Sequence, residues 1–396
     1  ICADCGIRDV REKLAADLGL GVGDVIVGST HTHAGADTYG GWGGIPLWYR
    51  NQLRDATIAA GKQAVANLRA ASLRVGEVNL RNRNNERRDT YYSTVDTGAT
   101  WLQARDTDTG DVIATLAAYA AHPTIVGAAL LHADWPGAAA RRFEASWGGV
   151  GLLFEGGLGN ASISGVGGVD EEDEAEKTGI AVADDVSADI GKPDNGTTLL
   201  ANDMTAAVQD ITHPTMTNPG LATLASAGLF DREFTPGTKG GGLPGVYSWS
   251  KRGELSSSGE DVDVPMPDLE EPEHPLVPGE NFRACLSAGP TIITTAGAHR
   301  IGDFVVAFAP GEIFSNVAEV MKERADRSAI TMVLGQTNDA LGYIIQSFEY
   351  DLQGNVLTEY GTTTGEYEEV FSIDRCFGDH VLETMLESTR LLGAGG

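Results

Sequence analysis

Positive charge is scarce in this chain. Only 28 Lys and Arg stand against 56 Asp and Glu, a formal net charge of −28 over 396 residues. Such a surface repels nucleic-acid phosphates and anionic headgroups, which excludes a basic-groove nucleic-acid binder. No stretch approaches the roughly eighteen apolar residues of a membrane helix, so no transmembrane segment is expected. Cysteine is also sparse. Cys2 and Cys5 form a C-x-x-C pair, but Cys285 and Cys376 stand alone, and no second pair has zinc-finger spacing. One or two disulfides of an exported protein are therefore expected, with the local pair Cys2–Cys5 foremost. The 51 glycines have no fixed period, which removes collagen-like and repeat-array folds.

What is present suits a folded enzyme. Hydrophobic residues make up 42 % of the chain, enough for a large core. Apolar stretches and helical patterns alternate. A helix is expected over Arg8 to Leu20, a strand over Asp24 to Thr30, and a long helix from about Trp48 to Ala70. Strands follow at Leu73 to Leu80, Val112 to Ala121 and Gly149 to Gly157, with a helix over Trp135 to Ser146. Further on come a strand at Phe304 to Pro310, a helix at Ile313 to Ala325, a strand at Ala329 to Leu334 and a last helix at Asp379 to Leu392. This alternation predicts an α/β fold of layered sheets flanked by helices. Val169 to Glu176 reads as a solvated acidic run, and residues 239–278, rich in Gly, Ser, Pro and acid, as a solvated insertion. No linker divides the chain, so one domain over 1–396 is expected.

The sharpest local feature is G-S-T-H-T-H-A-G, which places His31 and His33 directly after an apolar stretch. Residues two apart in an extended chain face the same side, so both imidazoles can meet one site. His122, in AYAAHPT, again ends an apolar stretch. A lone histidine there is as well explained by a hydrogen-bonded core; three such histidines point to a shared metal site, and neutral imidazole suits zinc. Glu312, just beyond FVVAFAPG, is a candidate carboxylate ligand, or a first-turn glutamate favoured by a helix dipole. Asp134 reads as a helix cap or as a partner orienting a histidine.

These residues carry a resemblance. HTHAG after an apolar stretch resembles the THTHSGP motif of the neutral/alkaline ceramidases, a family of zinc-dependent amidases. In chain order, GEVNLRNRN resembles their G-E…R-N-R segment, AAYAAHPTIV their strand ending in V-H-x-T-S, and ADWPGAAARRFE their P-D-x-x-G-Y-A helix start. LLFEGGLGNASIS, APGEIFSNVAEVMK and TNDALGYIIQSFEY complete seven ordered matches between Gly28 and Tyr350. The resemblance covers most of that family's catalytic domain, starting after its first strands and without its C-terminal immunoglobulin-like domain.

The resemblance implies that His31, His122, Glu312 and Tyr343 bind zinc. It implies His33 beside the metal, and Arg83 as an arginine facing the substrate. Ser162 matches the family's active-site serine, although Ile-Ser replaces the Pro-Asn that should follow. Tyr367 matches a second active-site tyrosine, with Tyr360 as the other register. Together these imply a secreted zinc hydrolase in which metal-activated water cleaves a linear amide, ceramide or another N-acyl amide. The loop YGGWGGIPLWY, Tyr39 to Tyr49, would offer apolar contacts to an acyl chain. A zinc-dependent esterase on the same residues and a non-catalytic extracellular protein of the same fold remain open. The net charge favours a soluble or dispersed substrate over an anionic bilayer.

Overall fold

The computed structural model describes residues 7–38, 45–88, 94–127, 130–199, 205–214, 291–325, 330–350 and 366–393. Two mixed sheets form its centre. The first is ordered β5-β4-β3-β1-β7, from strands β1 (Ala71–Asn79), β3 (Gly98–Asp106), β4 (Val112–Tyr119), β5 (Val150–Glu155) and β7 (Thr197–Thr198). Its pairings are antiparallel except β4 with β5. The second is ordered β12-β10-β9-β8, from β8 (Thr205–Pro214), β9 (Thr291–Ile301), β10 (Phe304–Phe308) and β12 (Ile330–Leu334), with β10 and β12 parallel.

Alternation of side chains decides the layers. On β3, Trp101 faces one way and Leu102 the other; on β5, Leu153 and Phe154 do the same. Leu102, Val75, Ala118 and Phe154 meet Phe304, Phe308, Met332 and Leu334, so the two sheets pack face to face. Trp101, Tyr119 and Leu153 instead meet Trp135 and Phe143 of helix α3 (Asp134–Trp147) and Val182 and Val186 of α4 (Glu171–Ile190). On the far side, Ala296 and Ala307 of the second sheet lie under α5 (Ser315–Arg324) and α7 (Phe377–Leu391), which bring Val317, Met321, Phe377, Val381 and Met385. The order of layers is helices, sheet, sheet, helices, as the α/β expectation of layered sheets requires. Each fully buried large apolar side chain contributes about 1.5–3 kcal/mol relative to exposure.

Several local expectations need correction. Asp24 to Thr30 is not a strand: within it, Gly28 alone bridges, to Thr337. Val25 instead packs on α1 (Ile7–Leu18) with Val10 and Leu14, and Val27 is held by Asn338, its amide donating to Asn338 Oδ1 at 3.0 Å. The acidic run is not merely solvated. Asp170 caps α4 by accepting from the Asp173 amide at 2.9 Å, and Glu171 to Glu174 form the first turn, where the helix dipole favours carboxylates. The helix expected from Ile313 begins at Ser315, because Glu312 and Ile313 form a short strand. The long helix expected from Trp48 is α2 (Leu47–Ala66), which ends before β1 and buries Ile58.

Of the four cysteines, Cys376 alone lies among the described residues, where it is buried and is not a free thiol. Cys2, Cys5 and Cys285 lie outside the described residues, as do Tyr360, residues 39–44 and the expected insertion at 239–278. Among the described residues, no helix is long and apolar enough to cross a membrane.

Candidate metal centre

Two small ladders, outside the main sheets, carry the site. The first pairs β2 (Asn84–Glu86) with β6 (Ala161–Ile163), and the second pairs β11 (Glu312–Ile313) with β13 (Tyr343–Ile344). The second ladder sets Glu312 directly opposite Tyr343. Gly342 makes this possible. Its φ is +76°, its carbonyl accepts from the Glu312 amide at 2.9 Å, and a Cβ there would run into the Phe371 carbonyl.

His31 lies past the Gly28 bridge with φ +54°, a conformation that costs a non-glycine residue roughly 1–3 kcal/mol and so marks an over-determined position. Its amide donates to Ser29 Oγ, the His33 amide donates to the Pro123 carbonyl, and Thr32 Oγ1 donates to the His132 carbonyl. The loop is thus fixed against the segment that follows His122. That histidine sits beyond the end of β4, bridged to Ser162, with its amide donating to the Ala161 carbonyl at 2.9 Å.

The three imidazoles converge. Their ligand-capable nitrogens all lie within 4.8 Å of one another. His31 Nε2 is 3.4 Å from His33 Nε2. Glu312 Oε2 is 3.0 Å from His122 Nε2 and 3.5 Å from His31 Nε2. Tetrahedral zinc with ~2.0–2.1 Å bonds to nitrogen spaces its ligand atoms about 3.3 Å apart, which these separations approach.

The chemistry of the donors also fits a cation. His122 Nδ1 is 3.0 Å from the Ala161 carbonyl, an acceptor, so Nδ1 carries the hydrogen when the ring is neutral. The Nε2 lone pair then faces the Glu312 carboxylate, an arrangement that a proton or a metal between them would stabilise. Burial lowers the His122 pKa, with the Glu312 hydrogen bond opposing and the Arg87 charge assisting. Although His33 is exposed at the edge of the group, desolvation by the atoms crowded around its ring, helped by the neighbouring His31 and His122, holds it down at about 4, so its ring is neutral near pH 7. Burial alone would raise Glu312, but His31 and His122 outweigh it and hold the carboxyl well below the usual range.

Arg87 enters this group, and the sequence did not single it out. Its Nη1 lies 3.2 Å from His122 Nε2, its Nη2 donates to the Tyr343 hydroxyl at 2.8 Å, and its Nε donates to Glu368 Oε1 at 2.9 Å. The guanidinium carbon is 5.4 Å from the centre of the Tyr343 ring. Arg83 is placed elsewhere: its Nε donates to Asp185 Oδ2 on α4 at 2.8 Å. The only available signal for Arg87 was the Arg87-Arg88 doublet in a chain poor in cations.

The remaining candidates lie around the group. Tyr367, on α6 (Glu366–Val370), is 48 % exposed, with its ring 6.0 Å from that of Tyr343. Burial and the Glu312 charge raise its pKa. Burial and Glu312 also raise Tyr343, against the opposing charge of Arg87. Ser162 is half-buried on β6, joined to His122 through their bridge and paired with Asn85. Asp134 does not orient a ligand histidine among its described bonds. Its carboxylate accepts from the amides of Val126 and Trp135, pinning the segment after His122 to the start of α3. Leu130 and Leu131 are exposed, and the His132 amide that follows them donates to the Ala34 carbonyl of the histidine loop.

No family model matches the chain, and no curated protein matches it in sequence. Solved structures do match in fold. The structure titled "Ceramidase complexed with C2" superposes with a TM-score of 0.66 at 17 % identity, covering 98 % of this chain and 65 % of that one. The neutral ceramidase from Pseudomonas aeruginosa superposes with a TM-score of 0.67 at 16 % identity, covering 98 % of this chain and 64 % of that one. The fold is ceramidase-like, and the chain spans about 65 % of the length of these structures.

Proposed function

We propose that this chain is a zinc-dependent hydrolase of linear amides, acting on ceramide or another N-acyl amide. The observation that carries this reading is the convergence of His31, His122 and Glu312, whose nitrogen and oxygen atoms lie at 3.0 and 3.5 Å. Both structural neighbours are ceramidases, which is support from likeness of fold.

His31, His122 and Glu312 would hold the zinc. When bound, the metal would supply a Lewis acid for the scissile carbonyl and a water ionised near neutral pH. Glu312 keeps its negative charge, which offsets the metal's, and His122 keeps its orientation through Ala161. Arg87 is the group that we assign to the substrate in place of Arg83. Its guanidinium is held by Glu368 and Tyr343, and its Nη1, 3.2 Å from His122 Nε2, is the donor that can hold a carbonyl oxygen as negative charge develops there. Tyr367 can donate a second hydrogen bond from its half-exposed position, and Ser162 can contact the substrate beside His122. Leu130 and Leu131 give the rim an apolar surface suited to an acyl chain. Export, with disulfides that include Cys376, belongs to the same reading, as does the treatment of 1–396 as one domain.

The test is metal analysis joined to hydrolysis of fluorescent N-acyl amides of several head groups, with and without chelator. Chelator-sensitive release of the amine is expected. Turnover of p-nitrophenyl esters with no amide cleavage would replace the amidase by an esterase, and metal-free protein inert on both would leave a binding protein.

A further inference from the structure

Two charged doublets face each other beside the histidines. Arg87 and Arg88 follow β2 directly, and Glu368 and Glu369 stand on α6. Arg87 Nε pairs with Glu368 Oε1 at 2.9 Å, and Arg88 Nη2 pairs with Glu369 Oε1 at 2.6 Å. Both glutamates and Arg88 are buried, whereas the Arg87 side chain keeps 21 % of its surface exposed.

The two pairs differ in what lies beyond them. Arg88 leads into the core: its guanidinium carbon is 5.1 Å from the centre of the Phe314 ring, and its Nη2 approaches the Glu349 carbonyl at 3.4 Å. Arg87 leads into the site. Its Nη2 donates to the Tyr343 hydroxyl at 2.8 Å, and its Nη1 lies 3.2 Å from His122 Nε2. A guanidinium is planar and rigid, so holding Nε and Nη2 also fixes the direction of Nη1. Of the two anchors, the Glu368 carboxylate alone opposes the charge of Arg87, and its second oxygen is 3.9 Å from Arg88 Nε, so it cannot turn freely.

We infer that Glu368 is a positioning residue for the proposed hydrolysis, aiming Arg87 Nη1 at the space beside His122, while the adjacent Arg88–Glu369 pair holds α6 against the core and stays outside the chemistry. This rests on the hydrolase reading above. Glu368 touches no reacting atom; it acts through Arg87.

Steady-state kinetics of the full chain on a fluorescent N-acyl amide test it, with circular dichroism confirming each fold. E368A is expected to lower kcat at least about tenfold, because a misaimed donor forfeits most of its effect, and to leave KM within about threefold. In an R87A background the same substitution is expected to change kcat less than about twofold, since the group it aims is gone. E369Q is the control, expected to unfold at a lower denaturant concentration with kcat within about threefold of wild type. If E368A fails to fold, E368Q takes its place, keeping an acceptor but not the charge. Its loss of kcat, expected to be at least about threefold, must likewise vanish in R87A. Equal losses in the wild-type and R87A backgrounds overturn the inference, as does wild-type kcat in E368A, or a loss in E369Q that matches that in E368A. A readout without substrate separates the inference from the hydrolase reading. With arginine isotopically labelled for NMR, the Arg87 Nε–H signal, identified by its absence in R87A, is expected to be protected in wild type and lost in E368A. Retention of that signal in E368A overturns the inference. Its loss in E368A, when wild type cleaves no amide, sinks only the hydrolase reading.

Discussion

Arg87 and Arg83 differ by four positions and by nearly everything else. Arg83 reaches a partly exposed aspartate on α4, while Arg87 touches His122, Tyr343 and Glu368 together. R87A is therefore expected to lower kcat/KM on an N-acyl amide by about 100-fold, the usual loss when one preorganised donor is removed. R83A should stay within a few-fold and cost at most about 1 kcal/mol of stability, as exposed ion pairs do. Steady-state kinetics on both variants checks this, and a larger loss in R83A would restore the arginine that the sequence suggested. At this scale, the histidines were legible because each ends an apolar stretch. Arg87 was not, because its place depends on β2 lying against β6, with the Arg87 amide donating to the Asn160 carbonyl, a contact far apart in sequence.

Among elements, the short ladder of β11 and β13 matters most, since it sets Glu312 opposite Tyr343. G342A should disrupt it, because alanine at φ +76° is strained and its Cβ would meet the Phe371 carbonyl. We expect a loss of at least about 2 kcal/mol by denaturant unfolding, together with weakened zinc binding. Wild-type stability in G342A would show that the ladder is dispensable. D170A removes the cap of α4 and should cost about 1 kcal/mol while leaving zinc affinity unchanged. Helix α3 was readable from the proline near its start. The ladder was not, since two residues have no period. The run Asp24 to Thr30 misled for a related reason: its apolar residues are spent on α1 and on Asn338, so no partner strand runs beside it.

The whole molecule must fold while carrying a net charge of −28. Several carboxyls sit where burial opposes their ionisation: Glu349 is pushed up to about 8, Glu383 to about 7 and Glu86 to about 6, each chiefly by desolvation. Below about pH 4.5 these groups are protonated in the folded and unfolded chains alike, so they do not discriminate between the two. Between 4.5 and 8 the unfolded chain releases protons that the folded chain retains, so unfolding gains and stability falls as pH rises. Mutual repulsion of the acidic surface adds to this trend. The buried histidines His33, His122 and His299 act the other way below about pH 6.5, where the unfolded chain protonates them first, so calorimetry should find Tm falling from about pH 7 to 8.5, with partial recovery on added salt. E349Q should be more stable than wild type at pH 8.5, and a Tm that rises across this range would contradict the assignment of these buried acids. Composition made the acidity plain. Which acids are buried, and so which way they tilt stability, depends on the sandwich of sheets and helices that only the folded chain reveals.

The most direct test of the account is the zinc content of the purified chain, measured together with its turnover of an N-acyl amide before chelation, after it and after zinc is restored. One zinc per chain is expected, with metal and turnover lost together on chelation and both recovered when zinc is restored. Turnover that persists in metal-free protein, or a chain that holds no zinc and cleaves no amide, would contradict it.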